Sequence, residues 1–202
     1  MQASGIVTAA GKSTRMGGFP KPLLWYGSEY FAERILGVLE KAGIDDRLVV
    51  LGHEADIVQE RLSQNGATIH VNPSYESGML SSVQIGVERA IANDREGMFL
   101  WPVDFPCVPA EVVTRMWTTY ERKQPDVVVP TCGGERGHPA LFAASTFDPL
   151  LNAPETEGAR AVVYTAETDV EEVDVQDPRV LVDIDTPEEY WDAVKRYPPD
   201  EA

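Results

Sequence analysis

In the stretch TAAGKSTRMGG, Thr8 to Gly18, three glycines and two basic side chains follow an apolar run. Gly11, Gly17 and Gly18 permit close backbone approach to a ligand. Lys12, Arg15 and, a little later, Lys21 add positive charge. The chemistry this suits is capture of an anion such as a triphosphate. Gly-Lys-Ser-Thr resembles the end of a Walker A loop, but that loop needs a glycine five residues before Gly11, where this chain has Ile6. Gly5 is one residue too far away. The Walker spacing is fixed because successive backbone N–H groups must converge on the phosphates, so a P-loop hydrolase is excluded. The first 28 residues contain no Asp or Glu, in a chain with 33 acidic and 17 basic residues. The positive charge around the turn is therefore local and runs against the overall composition.

Carboxylates supply the second kind of chemistry. Asp104, in PVDFP, directly follows an apolar run and reads either as a turn cap or as a hard ligand for Mg2+ beside a phosphate. VDIDTPEEY, Val182 to Tyr190, places Asp183 and Asp185 two apart. On a strand they would face one side, and one or both would complete a metal site with Asp104. Thr186 and Pro187 form a helix start, with Thr186 as N-cap and Pro187 at the first helical position. The loop NPSYESGMLSSVQIG, Asn72 to Gly86, offers serines that either cap the following helix or contact a nucleobase and ribose. His138, between Gly137 and Pro139 in GGERGHPALF, sits in a Gly-rich segment suited to closing over substrate.

These residues need a scaffold, and apolar runs alternate with segments of helical period. Strands are expected at 5–9, 47–52, 67–71, 97–104, 125–131, 170–175 and 180–184, with a short segment at 139–142. Helices are expected at 29–43, 54–66, 79–93, 109–123, 157–166 and from Pro187. Such alternation predicts an α/β fold, a Rossmann-like three-layer α/β/α arrangement with a mainly parallel sheet, spanning 1–202 as a single domain. Ligands of such sheets bind beyond the carboxyl ends of the strands, which selects Ala9 to Gly18 and Asp104.

A formal net charge of −16 argues against nucleic acid and anionic membranes as partners. Cys107 and Cys132 have neither a metal-ligand spacing nor a disulfide framework. The apolar runs are strand-sized, and a cytoplasmic protein is expected.

AAGKSTRMGGFPKPLL resembles the signature of the nucleotidyltransferases that build activated sugars, isoprenoid precursors and molybdenum cofactors. NPSYESGMLSSVQIGVERA, PVDFP, GERGHPALF, GAR and DIDTPEEY, in that order, resemble the branch of molybdenum cofactor (molybdopterin) cytidylyltransferases and their MobA-like relatives. The resemblance implies that the backbone of Ala9, Ala10 and Gly11 contacts base and sugar, while Arg15 and Lys21 hold the triphosphate and act catalytically. It implies base reading by Gly78 and Ser82, and Mg2+ held by Asp104 with Asp185 or Asp183. His138 and Arg136 are expected to bind the acceptor. Ala9-Ala10-Gly11 is the variant associated with cytidine, so CTP is the expected donor and a phosphorylated pterin the acceptor, with a molybdenum hydroxylase as recipient. Two positions depart from the branch: Lys12 adds a basic side chain, and Thr156-Glu157 stands where Gly-Asp often precedes the Gly-x-Arg motif.

The implied reaction is attack by an acceptor phosphate oxygen on the α-phosphate, releasing pyrophosphate. Positioning and charge neutralisation dominate such chemistry. The alternatives are guanylyl or other nucleotidyl transfer, a nucleotide-dependent oxidoreductase on the same scaffold, and a non-catalytic cofactor-delivery protein. No G-x-G-x-x-G follows a strand in support of the oxidoreductase.

Overall fold

The computed structural model describes residues 1–62 and 66–198. Its strands are β1 (Ala3–Ala9), β2 (Trp25–Tyr26), β3 (Glu29–Tyr30), β4 (Asp46–Leu51), β5 (Thr68–Val71), β6 (Gly97–Pro102), β7 (Val127–Cys132), β8 (Glu135–Arg136), β9 (Ala140–Ala143) and β10 (Val170–Asp174). Its helices are α1 (Phe31–Lys41), α2 (Ala55–Leu62), α3 (Met79–Ala92), α4 (Ala110–Lys123), α5 (Phe147–Leu151), α6 (Arg160–Val163) and α7 (Pro187–Arg196). The main sheet runs β10-β7-β9-β6-β1-β4-β5, with β8 on β7. Its pairs are parallel except those made by β8 and β9. The expected mainly parallel α/β/α arrangement is what forms.

All seven residues of β1 are buried, as a central strand covered on both faces requires. Val7 and Ala9 join the core under α1 and α4, whereas Ile6 joins the one under α3. Two glycines let the layers close tightly. A Cβ at Gly5 would lie 2.7 Å from Leu39 of α1, and one at Gly86 of α3 would lie 2.7 Å from Ile6. Helix α1 ends as expected at Gly43, whose φ of 82° is left-handed. The Gly43 and Ile44 N–H groups donate back to Glu40 and Leu39.

Three expectations at the edges change. The helix expected at 54–66 is α2, and its stretch 63–65 lies outside the described residues. The helix expected at 157–166 shrinks to α6, because Gly158 takes a left-handed φ of 61° and breaks the helical path. The strand expected at 180–184 does not form. Pro178 and the Asp177 carboxylate, which accepts from the Arg179 N–H, instead close a 3-10 turn over Pro178–Leu181. The Ile184 N–H then donates to the Asp104 carbonyl rather than to a sheet ladder. Among the described residues no helix is long and apolar enough to cross a membrane.

Candidate active site

A cleft of about 460 Å³ opens beyond the carboxyl ends of β1 and β6. Strand β1 is followed by β4 on one side and flanked by β6 on the other, so the cleft sits where the strand order reverses. The loop after β1 forms one wall. Ser13 takes a left-handed φ of 49°, a 3-10 turn covers Thr14–Met16, and Gly17 and Gly18 follow at φ of 70° and 84°. The Ser13 hydroxyl accepts from the Lys21 N–H at 3.2 Å, tying the two ends of the loop together. Neither a positive φ nor a close neighbour requires glycine at position 11. A Cβ there would project into open space.

The opposite wall is the N-terminus of α3. Gly78 caps that 14-residue helix without a side-chain hydrogen bond, and its first turn holds no acid. Free N–H groups there favour an anion or a polar base edge. Gly78, Met79 and Ser82 line the cleft. Ser82 is buried, and the Asn72 amide donates to its hydroxyl at 3.0 Å and to that of Ser81 at 2.8 Å. The Asn72 side-chain oxygen accepts from the Ser74 N–H. Sequence reading singled out the serines but not Asn72, which fixes them. Its only signal is its position, one residue beyond β5.

At the floor, Asp104, Asp183 and Asp185 converge, with one oxygen from each within 4.8 Å of the others. Asp104 lies two residues beyond the end of β6. Asp183 and Asp185 arrive without a strand, held by the Ile184 bond to Asp104 and by α7. The α7 start has the expected Thr186 N-cap and Pro187, and it forms a capping box: Thr186 and Glu189 exchange side-chain and backbone bonds, and Glu189 also accepts from the Asp185 N–H at 2.9 Å. Lys21, only 8% exposed, sets its ammonium 3.3 Å from Asp104 and against Asp185. Arg15 Nη1 lies 2.6 Å from the other Asp185 oxygen. Although Asp183 is an exposed residue, local desolvation of its carboxyl in the cluster pushes it up to about 6, the charges of Asp104 and Asp185 adding to the rise. One Asp104 oxygen is buried with no hydrogen-bond partner. Clustered carboxylates with a spare oxygen and crowded negative charge fit a hard divalent cation such as Mg2+ or Mn2+.

His138 is not among the residues lining the cleft; its ring packs 4.5 Å from that of Phe105. Burial pushes its imidazole down, which the charge of Asp104 opposes, and its Nδ1 has no partner. Arg136 lies outside the cleft, bonded to Glu172 at 2.8 Å and stacked on Tyr164. Lys12 reaches across the cleft mouth to Glu76 at 2.7 Å. Ala9, Ala10, Gly11, Arg15, Lys21, Gly78, Ser82, Asp104 and Asp185 all line the cleft, while Asp183 reaches it only through the acidic cluster.

Residues 5–171 match the family described as the MobA-like NTP transferase domain. The chain belongs to this family. It is 28% identical to the molybdenum cofactor cytidylyltransferase of Escherichia coli (strain K12) over 193 residues, 95% of each chain. It is also 28% identical to the molybdenum cofactor guanylyltransferase of Serratia proteamaculans (strain 568) over 147 residues, 72% of this chain and 68% of that one. The solved structure of Rv0371c from Mycobacterium tuberculosis H37Rv matches with a TM-score of 0.83 at 27% identity, covering 96% of this chain and 98% of that one. Within this MobA-like chain the family match ends at residue 171, before Asp183 and Asp185. Those two carboxylates reach the cleft through the fold of the C-terminal segment.

Proposed function

We propose that residues 1–202 act as one nucleotidyltransferase domain that transfers CMP from CTP to the phosphate of a molybdenum cofactor pterin, releasing pyrophosphate. The observation that carries the reading is the meeting of Arg15 and Lys21 with three carboxylates at the foot of a cleft after β1 and β6. Bound at Asp104, Asp185 and Asp183, Mg2+ would neutralise charge on the phosphates and on the leaving pyrophosphate. Base and ribose lie along Ala9, Ala10 and Gly11, with Gly78 and Ser82 at the edge of the base. Arg15 and Lys21 stabilise the charge that grows at the α-phosphate and leaving group. An acceptor phosphate oxygen attacks the α-phosphorus while the bond to the β-phosphate oxygen breaks. A phosphate monoester is already largely ionised at neutral pH, so no general base is needed. His138, which feels the charge of Asp104, binds the acceptor. Arg136 joins it only if the segment bearing its bond to Glu172 rearranges.

The choice of CTP rests on Ala9-Ala10-Gly11, the cytidine-associated variant. Similarity to the Escherichia coli cytidylyltransferase supports the pterin acceptor, and the finished cofactor would pass to a molybdenum hydroxylase in the cytoplasm. The test is pyrophosphate release with phosphorylated pterin, CTP or GTP, and Mg2+ or EDTA. Release with CTP and Mg2+ is expected. Release with GTP alone transfers the reading to guanylyl chemistry, and nucleotide binding without release points to a delivery protein.

A further inference from the structure

The cations assigned to the triphosphate are both paired with carboxylate, Lys21 in a largely buried contact and Arg15 through one nitrogen of an exposed guanidinium. Both oxygens of Asp185 are occupied, one by Lys21 and the other by Arg15. Lys21 also bonds to Asp104, so its ammonium stands among the same carboxylates that fit a divalent cation. The Asp185 side chain is 15% exposed and that of Lys21 is 10% exposed, so little water competes with their contact. The backbone of Asp185 is fixed by the α7 capping box through Glu189. The carboxylate is therefore presented rigidly to both cations.

We propose that Asp185 is a partner-exchange residue that makes triphosphate binding depend on the metal. Without metal it holds Arg15 and Lys21 away from phosphate. When a divalent cation takes Asp185 and Asp104, the two basic side chains are released to the triphosphate. This rests on the assignment of Arg15 and Lys21 to phosphate. Metal and triphosphate then strengthen each other's binding reciprocally. The contact lowers apparent metal-free affinity by the fraction of molecules whose cations are free. Among the described residues Asp183 makes no hydrogen bond or ion pair with Arg15 or Lys21, although it lies in the same cluster and feels the charge of Lys21. It serves as the control for simple charge removal.

The probe is inorganic triphosphate, which removes base specificity from the question, titrated calorimetrically in EDTA and in Mn2+. In EDTA, Asp185→Asn is expected to bind it about tenfold more tightly than wild type, within the usual range of site-to-site coupling. Asp183→Asn, which removes a like charge without freeing either cation, should gain markedly less than Asp185→Asn. In Mn2+ the advantage of Asp185→Asn should vanish. Wild-type protein gives a second readout without mutation: Mn2+ alone should increase acylation of Lys21 measured by mass spectrometry. Equal gains in Asp183→Asn and Asp185→Asn, no gain in Asp185→Asn, or Lys21 labelling unmoved by Mn2+ would each overturn the exchange while leaving the phosphate assignment standing. If wild type fails to bind triphosphate even with Mn2+, that assignment falls, and the exchange with it.

Discussion

Replacing Lys21 with methionine tests whether one side chain serves both the chemistry and the fold. Methionine keeps the length and apolar stem of lysine but removes the ammonium from between Asp104 and Asp185. At the 3.3 Å separation from Asp104, two unit charges attract by about 5 kcal/mol at an effective dielectric of about 20. The net loss is smaller, since removing one partner of a buried ion pair costs about 3–5 kcal/mol. The Asp104 side chain is 26% exposed, so water relieves part of the stranded charge and the low end, about 3 kcal/mol, applies. For a domain of this size that lowers Tm by about 6–12 °C. Mn2+ at a hundred times its Kd should return about 2.7 kcal/mol, because the three carboxylates then have a cation without a competitor. Thermal unfolding by circular dichroism, with and without Mn2+, reads both effects, and pyrophosphate release reads the chemistry. The expected result is a fold rescued by metal and an enzyme that stays inactive. A metal-free Tm within about 1 °C of wild type would refute the structural half of the reasoning. A lowered Tm that metal cannot restore would refute the metal assignment.

Arg15→Ala should behave oppositely: its side chain is 67% exposed, so Tm should hold while turnover in the pyrophosphate assay falls about 10²–10³-fold, the usual loss for one transition-state donor. Asn72→Ala strips two serine hydroxyls of their donor and should cost about 1–3 kcal/mol in chemical denaturation, with nucleotide KM rising more than kcat falls. Away from the site, burial pushes the Asp46 carboxyl up, but bonds from Ser4, Asn93 and Arg89 outweigh it and leave its pKa lowered. A lowered folded value means its contribution is complete above the ordinary 3.8 and is lost as pH falls through the folded value. Urea midpoints at pH 7 and pH 3 should therefore drop less in Asp46→Asn than in wild type.

Local sequence carried the frame of this protein. β1, α1, α3, α4 and β6 fall close to the expected positions because their apolar period and end signals agree, as with Gly43 closing α1 and Thr186 opening α7. The anion loop was legible for the same reason: glycines and basic residues after a buried strand are a local pattern. Period alone could not foresee the turn at Pro178–Leu181, where apolar Val180 and Leu181 mimic a strand while Asp177 caps a 3-10 turn. Nor could it show that Asp183 and Asp185 meet Asp104 through the backbone bond of Ile184 rather than through strand alternation.

Residue types and order were enough to specify an α/β sheet with a cationic loop at its switch point, because burial period and turn chemistry act over a few residues. Which charges face one another was decided by the tertiary structure. Asp185 stands 164 positions from Lys21, and only the packing of the C-terminal segment against Asp104 places its carboxylate between Lys21 and Arg15. Coulombic partnership depends on distances of a few ångströms that no sequence spacing fixes.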